Sequence, residues 1–301
     1  MNGLLLVDKP AGMTSHDVVR RVRRIYQTRK VGHAGTLDPL ATGVLPIAVN
    51  DGTKLLQFLL VEEKSYRATC RLGVTTDSLD ADGQVVRERP VPPLEQTAIA
   101  AVCRDFLGEI EQVPPMHSAI KQNGQPLYKL AHQGKTVARQ ARSVRIDRLE
   151  IVAWEAPLLT LEIACGKGTY VRSLVADIGE RLGCGAHVTS LRRLSCGDFK
   201  LAECYRLEQL ETLERPESAL LDLLTALRRY PVVDLDLAAA RSLRYGMPPQ
   251  REQVASDTEL TDGQRVRLRD NGQLAAVASY RPTANKHQKG DFELLRVFVS
   301  H

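Results

Sequence analysis

The spacing of apolar and polar residues predicts a chain of short strands and amphipathic helices. Residues 3–7 (GLLLV) form an uninterrupted apolar run closed by Asp8-Lys9-Pro10, the pattern of a buried strand. After the turn at 11–15, Ser15 is placed to cap a helix through about Thr28. Val18, Val19, Val22, Ile25 and Tyr26 share one face of it, and Arg20, Arg21, Arg23 and Arg24 the other. Residues 65–72 alternate as a strand with Tyr66, Ala68, Cys70 and Leu72 on the same side. A helix is predicted at 94–107, and the prolines of VPP at 113–115 stop its continuation. Two strands follow at 144–164 around Trp154 and Pro157, then a helix at 170–182 with Val171, Leu174, Val175, Ile178 and Leu182 inward. The leucines of 207–227 predict a further helical stretch. Beyond about 230 the pattern changes to short alternating strands at 265–269, 274–279 and 294–299, with Asn271-Gly272 as a hairpin turn. Without a regular β-α-β alternation, the expected class is α+β. It comprises a domain at 1–230 with a largely antiparallel mixed sheet and flanking helices, and a small all-β domain at 231–301.

Composition narrows the functional classes. The 301 residues are enough for about two domains. A mean hydropathy of −0.21 and the lack of an apolar run of ~18 residues argue against a membrane helix. Met1 leads into GLLLVDKP, too short and too soon acidic for a secretory signal, so a cytoplasmic protein is expected. Its six cysteines contain no C-x-x-C and read as small buried apolar residues rather than disulfides. No metal site and no cofactor is expected. The net charge of +5 is unevenly distributed: residues 1–50 carry +4, 121–148 carry +6 and 165–200 carry +3, with acidic stretches between them. Gathered on one face, such blocks would attract a polyanion.

Two motifs fail on their chemistry. SLDADG at 78–83 starts like a calcium loop, but its twelfth position is Arg89 where a bidentate Glu is required. CGKGTY at 165–170 lacks the remaining residues of a phosphate loop. Residues 32–46, GHAGTLDPLATGVLP, are more informative. Three glycines and two prolines surround Asp38, and Pro39 biases it away from the α region. Taken alone, an Asp-Pro step is more often a turn than a site.

GHAGTLDPLATG, preceded by LLVDKPAGMTS (5–15) and followed by KSYRATCRLGVTTDSLDADG (64–83), resembles the bacterial tRNA pseudouridine-55 synthases of the TruB family. The resemblance continues through VPPMHSAIKQNGQPLYKLAHQG (113–134), GKGTYVRSLVADIGERLGCGAHVTSLRR (166–193) and YPVV (230–233). It spans about residues 1–233. In the final 70 or so residues a PUA-like RNA-binding domain rests mainly on position and strand pattern.

The resemblance implies isomerisation of the T-loop uridine of tRNA to pseudouridine, without cofactor, metal or guide RNA, by a monomer. Asp38 matches the family's nucleophile, attacking either ribose C1′ or the uracil; a carboxylate can stabilise positive charge at a glycosidic carbon and then leave. Arg172 matches the arginine that pairs with it and would keep it ionised. Tyr66 matches the tyrosine that stacks on the base and is a candidate for handling the C5 proton. His33 corresponds to a residue that fills the space left by the flipped uridine. Lys9 and Pro10 match a pair that supports the catalytic loop, and Leu191 an apolar residue beside the uracil. Tyr170 belongs to the same substrate-binding set. Residues 121–142 correspond to an inserted segment that grips the T-loop, with Lys121, Lys129, Lys135, Arg139 and Arg142 contacting phosphates. The rival readings are a tRNA-binding or RNA-folding module in which catalysis is secondary, and a related guide-RNA-dependent synthase that needs partner proteins, against which the basic insert at 121–142 favours the standalone form.

Overall fold

A computed structural model of the chain describes residues 1–60, 63–118, 120–122, 124–131, 133–135, 137–282 and 290–298. The run Gly3–Lys9 forms β1, and Ser15–Ile25 forms α1. Thr14, rather than Ser15, caps this helix: its hydroxyl accepts from the Asp17 N–H, and the Asp17 carboxylate accepts from the Thr14 N–H. Ser15 is free of that task and is buried. The helix ends three residues before Thr28, at a chain reversal where Gln27 has φ 49°.

Then come β2 (Val31–His33), β3 (Thr42–Val49), the short helix α2 (Leu56–Leu59), β4 (Lys64–Leu72) and a hairpin of β5 (Val74–Thr76) and β6 (Val85–Glu88). Helix α3 (Gln96–Arg104) leads to β7 (Gly108–Gln112). A small hairpin of β8 (Lys121–Gln122) and β9 (Gln125–Pro126) runs into α4 (Leu127–Ala131). The long strands β10 (Arg142–Glu155) and β11 (Leu158–Cys165) precede α5 (Val171–Arg181), β12 (Ala186–Cys196), β13 (Phe199–Lys200) and α6 (Leu207–Thr212). The predicted helical stretch at 207–227 is therefore cut short. Pro216 opens a 3-10 turn, and a second turn covers Thr225–Leu227. Between the turns, Leu221 forms a bridge with Leu4 of β1, so its backbone bonds go to the sheet instead of a helix.

The main sheet runs β1-β3-β12-β4-β11-β10-β7, with β2 beside β3 and β13 beside β12. Its pairings are antiparallel except β3 with β12. Alternation in β1 explains why that strand is apolar throughout. Leu5 and Val7 enter one core beneath α1 and α5, while Leu4 and Leu6 enter a second core on the opposite face. In β4, Tyr66, Ala68, Cys70 and Leu72 are buried in the first core, as their spacing predicts.

A second sheet, β15-β14-β16-β17-β18, is built from β14 (Val232–Leu235), β15 (Val254–Ala255), β16 (Arg265–Asp270), β17 (Gln273–Tyr280) and β18 (Phe292–Val297), with α7 (Leu237–Leu243) after β14. Asn271 and Gly272 both have positive φ, the geometry of the tight turn expected there. Leu274, Val277 and Phe298 pack into the second core beside Leu4, Val44 and Phe58, so the two sheets share apolar contact. All six cysteines are free; five are buried and Cys204 is half-buried. Among the described residues no helix is long and apolar enough to cross a membrane.

The charge pattern needs one correction. The arginines of α1 do not form an uninterrupted basic surface. Arg21 is bound by Glu211 of α6 at 2.6 Å with Glu208 alongside, and Arg20 is paired with Asp17.

Candidate active site

Asp38 lies in the loop between β2 and β3, and the segment following β1 holds that loop from three directions. Gly12 donates its N–H to the Pro39 carbonyl at 2.9 Å. The Ser15 hydroxyl accepts from the Leu37 N–H at 2.8 Å and donates to the Leu37 carbonyl at 3.0 Å. Lys9, fully buried, donates to the carbonyls of Pro10, Pro39 and Ala41 at 2.8, 3.2 and 2.6 Å. Two of those carbonyls, of Pro39 and Ala41, belong to the residues just after Asp38, which places Lys9 as a support of the loop. Burial pushes its ammonium down to about 8, with nearby Asp38 opposing the shift and Arg193 adding to it.

Arg172 stands on the first turn of α5, fixed by Gln112 of β7. The Gln112 amide accepts from the Tyr170 N–H at 2.7 Å and donates to the Tyr170 carbonyl at 3.1 Å, capping the helix entrance. The guanidinium is 5 % exposed and joins four segments. Nε meets Asp38 Oδ2 at 2.9 Å and Nη1 meets Asp80 Oδ2 at 3.0 Å. Nη1 also donates to the Ser78 carbonyl, and Nη2 to that of His117, each at 2.8 Å.

Asp80 was not singled out in the sequence as part of a site. It sits in the SLDADG turn that fails as a calcium loop, and the polar clustering there is the signal it offers. Its other oxygen accepts from the Ser78 hydroxyl at 2.5 Å and the Asp82 N–H at 3.2 Å. Among the described residues no group of three or more His, Cys, Asp or Glu could hold a metal ion.

The electrostatics of Asp38 differ from the sequence-based expectation. Its carboxyl is held above the usual carboxylate value because burial outweighs the attraction of Arg172 and Lys9, with Asp80 adding repulsion. One side of it remains open, at 34 % side-chain exposure. The result is an ionisable, weakly solvated carboxylate locked to a guanidinium, an arrangement suited to a nucleophile.

Tyr66 belongs to the first core at 7 % exposure, opposite Ile163 of β11 and Arg193 of β12. Burial pushes its phenol up to about 12, with Arg193 opposing the shift. That is the wrong direction for a base at neutral pH. Leu191, also 7 % exposed, lines a cleft of ≈ 520 Å³ with Leu40, Thr42, Asp82 and Arg192 beside the Asp38 loop. His33 lies on β2 at the start of that loop, half-buried, with its pKa lowered by burial and then by Arg193 and His16. It is therefore neutral at physiological pH, compatible with a stacking role. Tyr170, half-buried, is close enough to Asp38 and Arg172 to feel both charges, although burial is the main cause of its raised pKa.

The basic segment is only partly as expected. Lys129 on α4, Lys135 and Arg142 at the start of β10 are exposed. Arg139 is half-buried, with Nη1 donating to the Pro114 carbonyl at 3.1 Å, so it braces the segment instead of standing free for a phosphate. The Lys121 side chain lies outside the described set.

Comparison with known proteins decides the family. Residues 23–171 match the model of the TruB family pseudouridylate synthase N-terminal domain, and 172–232 that of the tRNA pseudouridylate synthase B C-terminal domain. The chain belongs to the TruB family. It is thus a pseudouridylate synthase, an isomerase. A Syntrophotalea carbinolica protein named tRNA pseudouridine synthase B is 48% identical, covering 99% of this chain and 98% of its own. A Geobacter sulfurreducens protein of the same name is 44% identical, covering 99% and 100%. Among solved structures, a Cbf5-Nop10-Gar1 complex contains a chain with TM-score 0.76 and 27% identity, covering 99% of this chain and 85% of that one. An H/ACA RNP bound to a substrate RNA containing 2'-deoxyuridine gives TM-score 0.75 and 25% identity, with coverage of 99% and 85%. The shared architecture is the pseudouridine synthase α+β fold with a C-terminal β unit.

Proposed function

We propose that this enzyme converts uridine 55 in the T-loop of tRNA to pseudouridine, with Asp38 as the covalent nucleophile. The observation that carries the reading is the pairing of Asp38 with the buried Arg172 at 2.9 Å in a loop braced by Lys9. A module that only bound RNA would have no use for a carboxylate held above its ordinary pKa and clamped by a buried cation. The relatives named tRNA pseudouridine synthase B, 44–48% identical over nearly the whole chain, support tRNA as substrate.

The proposed roles are those of the matching family positions. Asp38 attacks, Arg172 orients it and Lys9 fixes the loop. Leu191 and Tyr66 pack against the uracil, Tyr170 lines the pocket, and His33 fills the space left by the flipped nucleotide. The exposed Lys129, Lys135 and Arg142 contact T-arm phosphates, joined by Lys121, while Arg139 supports the same segment. Residues 1–230 form the catalytic domain, and 231–301 a PUA-like domain that binds RNA. The enzyme works as a cytoplasmic monomer without a guide RNA. The much higher identity to the named tRNA synthases than to the chains of the Cbf5 and H/ACA assemblies favours this standalone form.

Tritium release from tRNA labelled at uridine C5 tests the reading with the purified protein alone. Wild type should release label and Asp38→Asn should not. No release by wild type overturns the activity, and release by the variant removes Asp38 as nucleophile.

A further inference from the structure

We propose that Arg193 is a positioning residue for this reaction, tying both ends of the Asp38 loop and the neighbouring Tyr66 strand to β12. Arg193 heads the fully buried side chains by size, at 0 % exposure. Its Nε donates to the Val44 carbonyl at 2.6 Å and its Nη2 to the Gly35 carbonyl at 3.2 Å. Gly35 precedes Asp38 and Val44 follows it, so one guanidinium spans the base of the loop. Arg172 grips the carboxylate at the tip of that loop. Among the described residues no ion pair joins Arg193 to the Asp38 carboxylate, and its guanidinium acts on the loop through the backbone carbonyls of Gly35 and Val44.

The main chain of Arg193 reinforces the same end of the loop. It pairs with Gly43 where β3 and β12 run parallel. A Cβ at Gly43 would lie 2.2 Å from the Arg193 carbonyl oxygen, and Gly43 has φ +101°. The loop therefore returns to the sheet against Arg193 with no room for a side chain. On the other edge of β12, Arg193 faces Tyr66 in register.

The charge is costly at this place, which is why its retention is informative. Among the described residues no ion pair joins a carboxylate to Arg193, and Nη1 is buried without a hydrogen-bond partner. The titratable groups that feel its charge are Lys9, His33, Lys64, Tyr66 and Cys204, three of them cationic or potentially so. Packing alone would be served better by an apolar side chain of similar volume, because a buried cation without an anionic partner is destabilising. Two backbone carbonyls at fixed separation call instead for a planar fork with several N–H groups.

The inference rests on Asp38 being the nucleophile, which the Asp38→Asn variant tests separately. Arg193→Met and Arg193→Lys are compared with wild type for single-turnover tritium release at saturating enzyme, tRNA affinity by filter binding, and folding by circular dichroism. Because a loop displacement of about 1 Å can cost ~10²-fold in rate, Arg193→Met should lose about that much turnover while tRNA affinity stays within about threefold. Arg193→Lys keeps the charge but not the fork, and should recover part of the rate. A Met variant within about threefold of wild type overturns the proposal, as does a rate loss matched by an equal loss of affinity. If the Met variant does not fold, the Lys variant decides: a drop of about tenfold or more in rate with affinity kept supports the role, and a smaller drop overturns it. Activity in Asp38→Asn would instead remove the underlying reading, whatever the Arg193 variants do.

Discussion

Replacing Arg172 by Lys separates geometry from charge at the centre of the site. The guanidinium reaches four acceptors in different directions: Asp38, Asp80 and the carbonyls of Ser78 and His117. A lysine ammonium is a single point on a flexible stem and can keep the Asp38 contact with one or two others. At least one contact to a charged partner or buried carbonyl is lost, and two where the stem follows Asp38. Hydrogen bonds involving a charged group contribute about 1.5–3 kcal/mol each, so two lost contacts remove about 3–6 kcal/mol. Asp80 and the two carbonyls hold Arg172 alike before and during reaction, so only part of that loss falls on the transition state. About 3 kcal/mol there corresponds to ~10²-fold in turnover. Single-turnover tritium release at saturating enzyme reads the rate, and filter binding reads tRNA affinity. The expected result for Arg172→Lys is a rate about 10²-fold below wild type with affinity little changed. A rate within about fivefold of wild type would show that charge alone suffices and would refute the orienting role of the fork.

Other consequences follow from the same contacts. Turnover should fall on acidification at a pH above the ordinary carboxylate range, because Asp38 must be ionised and its pKa is raised, mainly by burial; an acid limb at or below the ordinary Asp value would contradict this. Lys9 loses its proton near pH 8 in the folded state, against ~10.4 when unfolded, so between these values the unfolded state binds more protons and Lys9's contribution to stability rises with pH. Turnover should fall as pH rises through about 8, where the amine of the folded enzyme loses a donor to the loop carbonyls, and a pH-rate profile beside urea titrations would show the opposite trends. Ser15→Ala strands the Leu37 N–H and C=O in the interior and should cost about 1–3 kcal/mol in urea unfolding, where no measurable loss would contradict the contact. Lys129→Gln, Lys135→Gln and Arg142→Gln together should reduce the slope of log affinity against log salt by about 2–3, if each neutralises one tRNA phosphate; an unchanged slope removes them from the interface.

The parts of the fold that the sequence made legible are those set by local periodicity. The valines of α1, the alternating side of β4 and the inward face of α5 follow from residue spacing alone, and each is buried in the first core. The break in the Leu-rich stretch at 207–227 was not recoverable this way. Leu221 is claimed by a strand more than 200 positions away, a contact that spacing within the stretch cannot announce. The site divides along the same line. Asp38 became visible through motif order, whereas its environment depends on chain segments brought together from distant positions. Asp80 reaches Arg172 across 92 residues, and the short acidic turn that contains it carries no trace of that partner. Arg193 had a usable local signal. In LRRLS the two-residue period puts Leu191, Arg193 and Ser195 on one face, so an inward Leu191 implies an inward arginine.

Burial raises the pKa of both Asp38 and Tyr66, and this restricts how the proton chemistry can work. The Asp38 carboxyl, its pKa raised by burial against the opposing pull of Arg172 and Lys9, is more basic than one in water. A phenol pushed up to about 12 is ionised in only about one molecule in 10⁵ at pH 7. Reaching the phenolate from the resting state would consume about 7 kcal/mol of the barrier at 1.36 kcal/mol per unit. The phenol of Tyr66 is therefore neutral in the resting enzyme, its residue paired with Ile163 and Arg193 of the adjoining strands, and is not a poised base. Its participation in removing the C5 proton requires the bound substrate to change its surroundings.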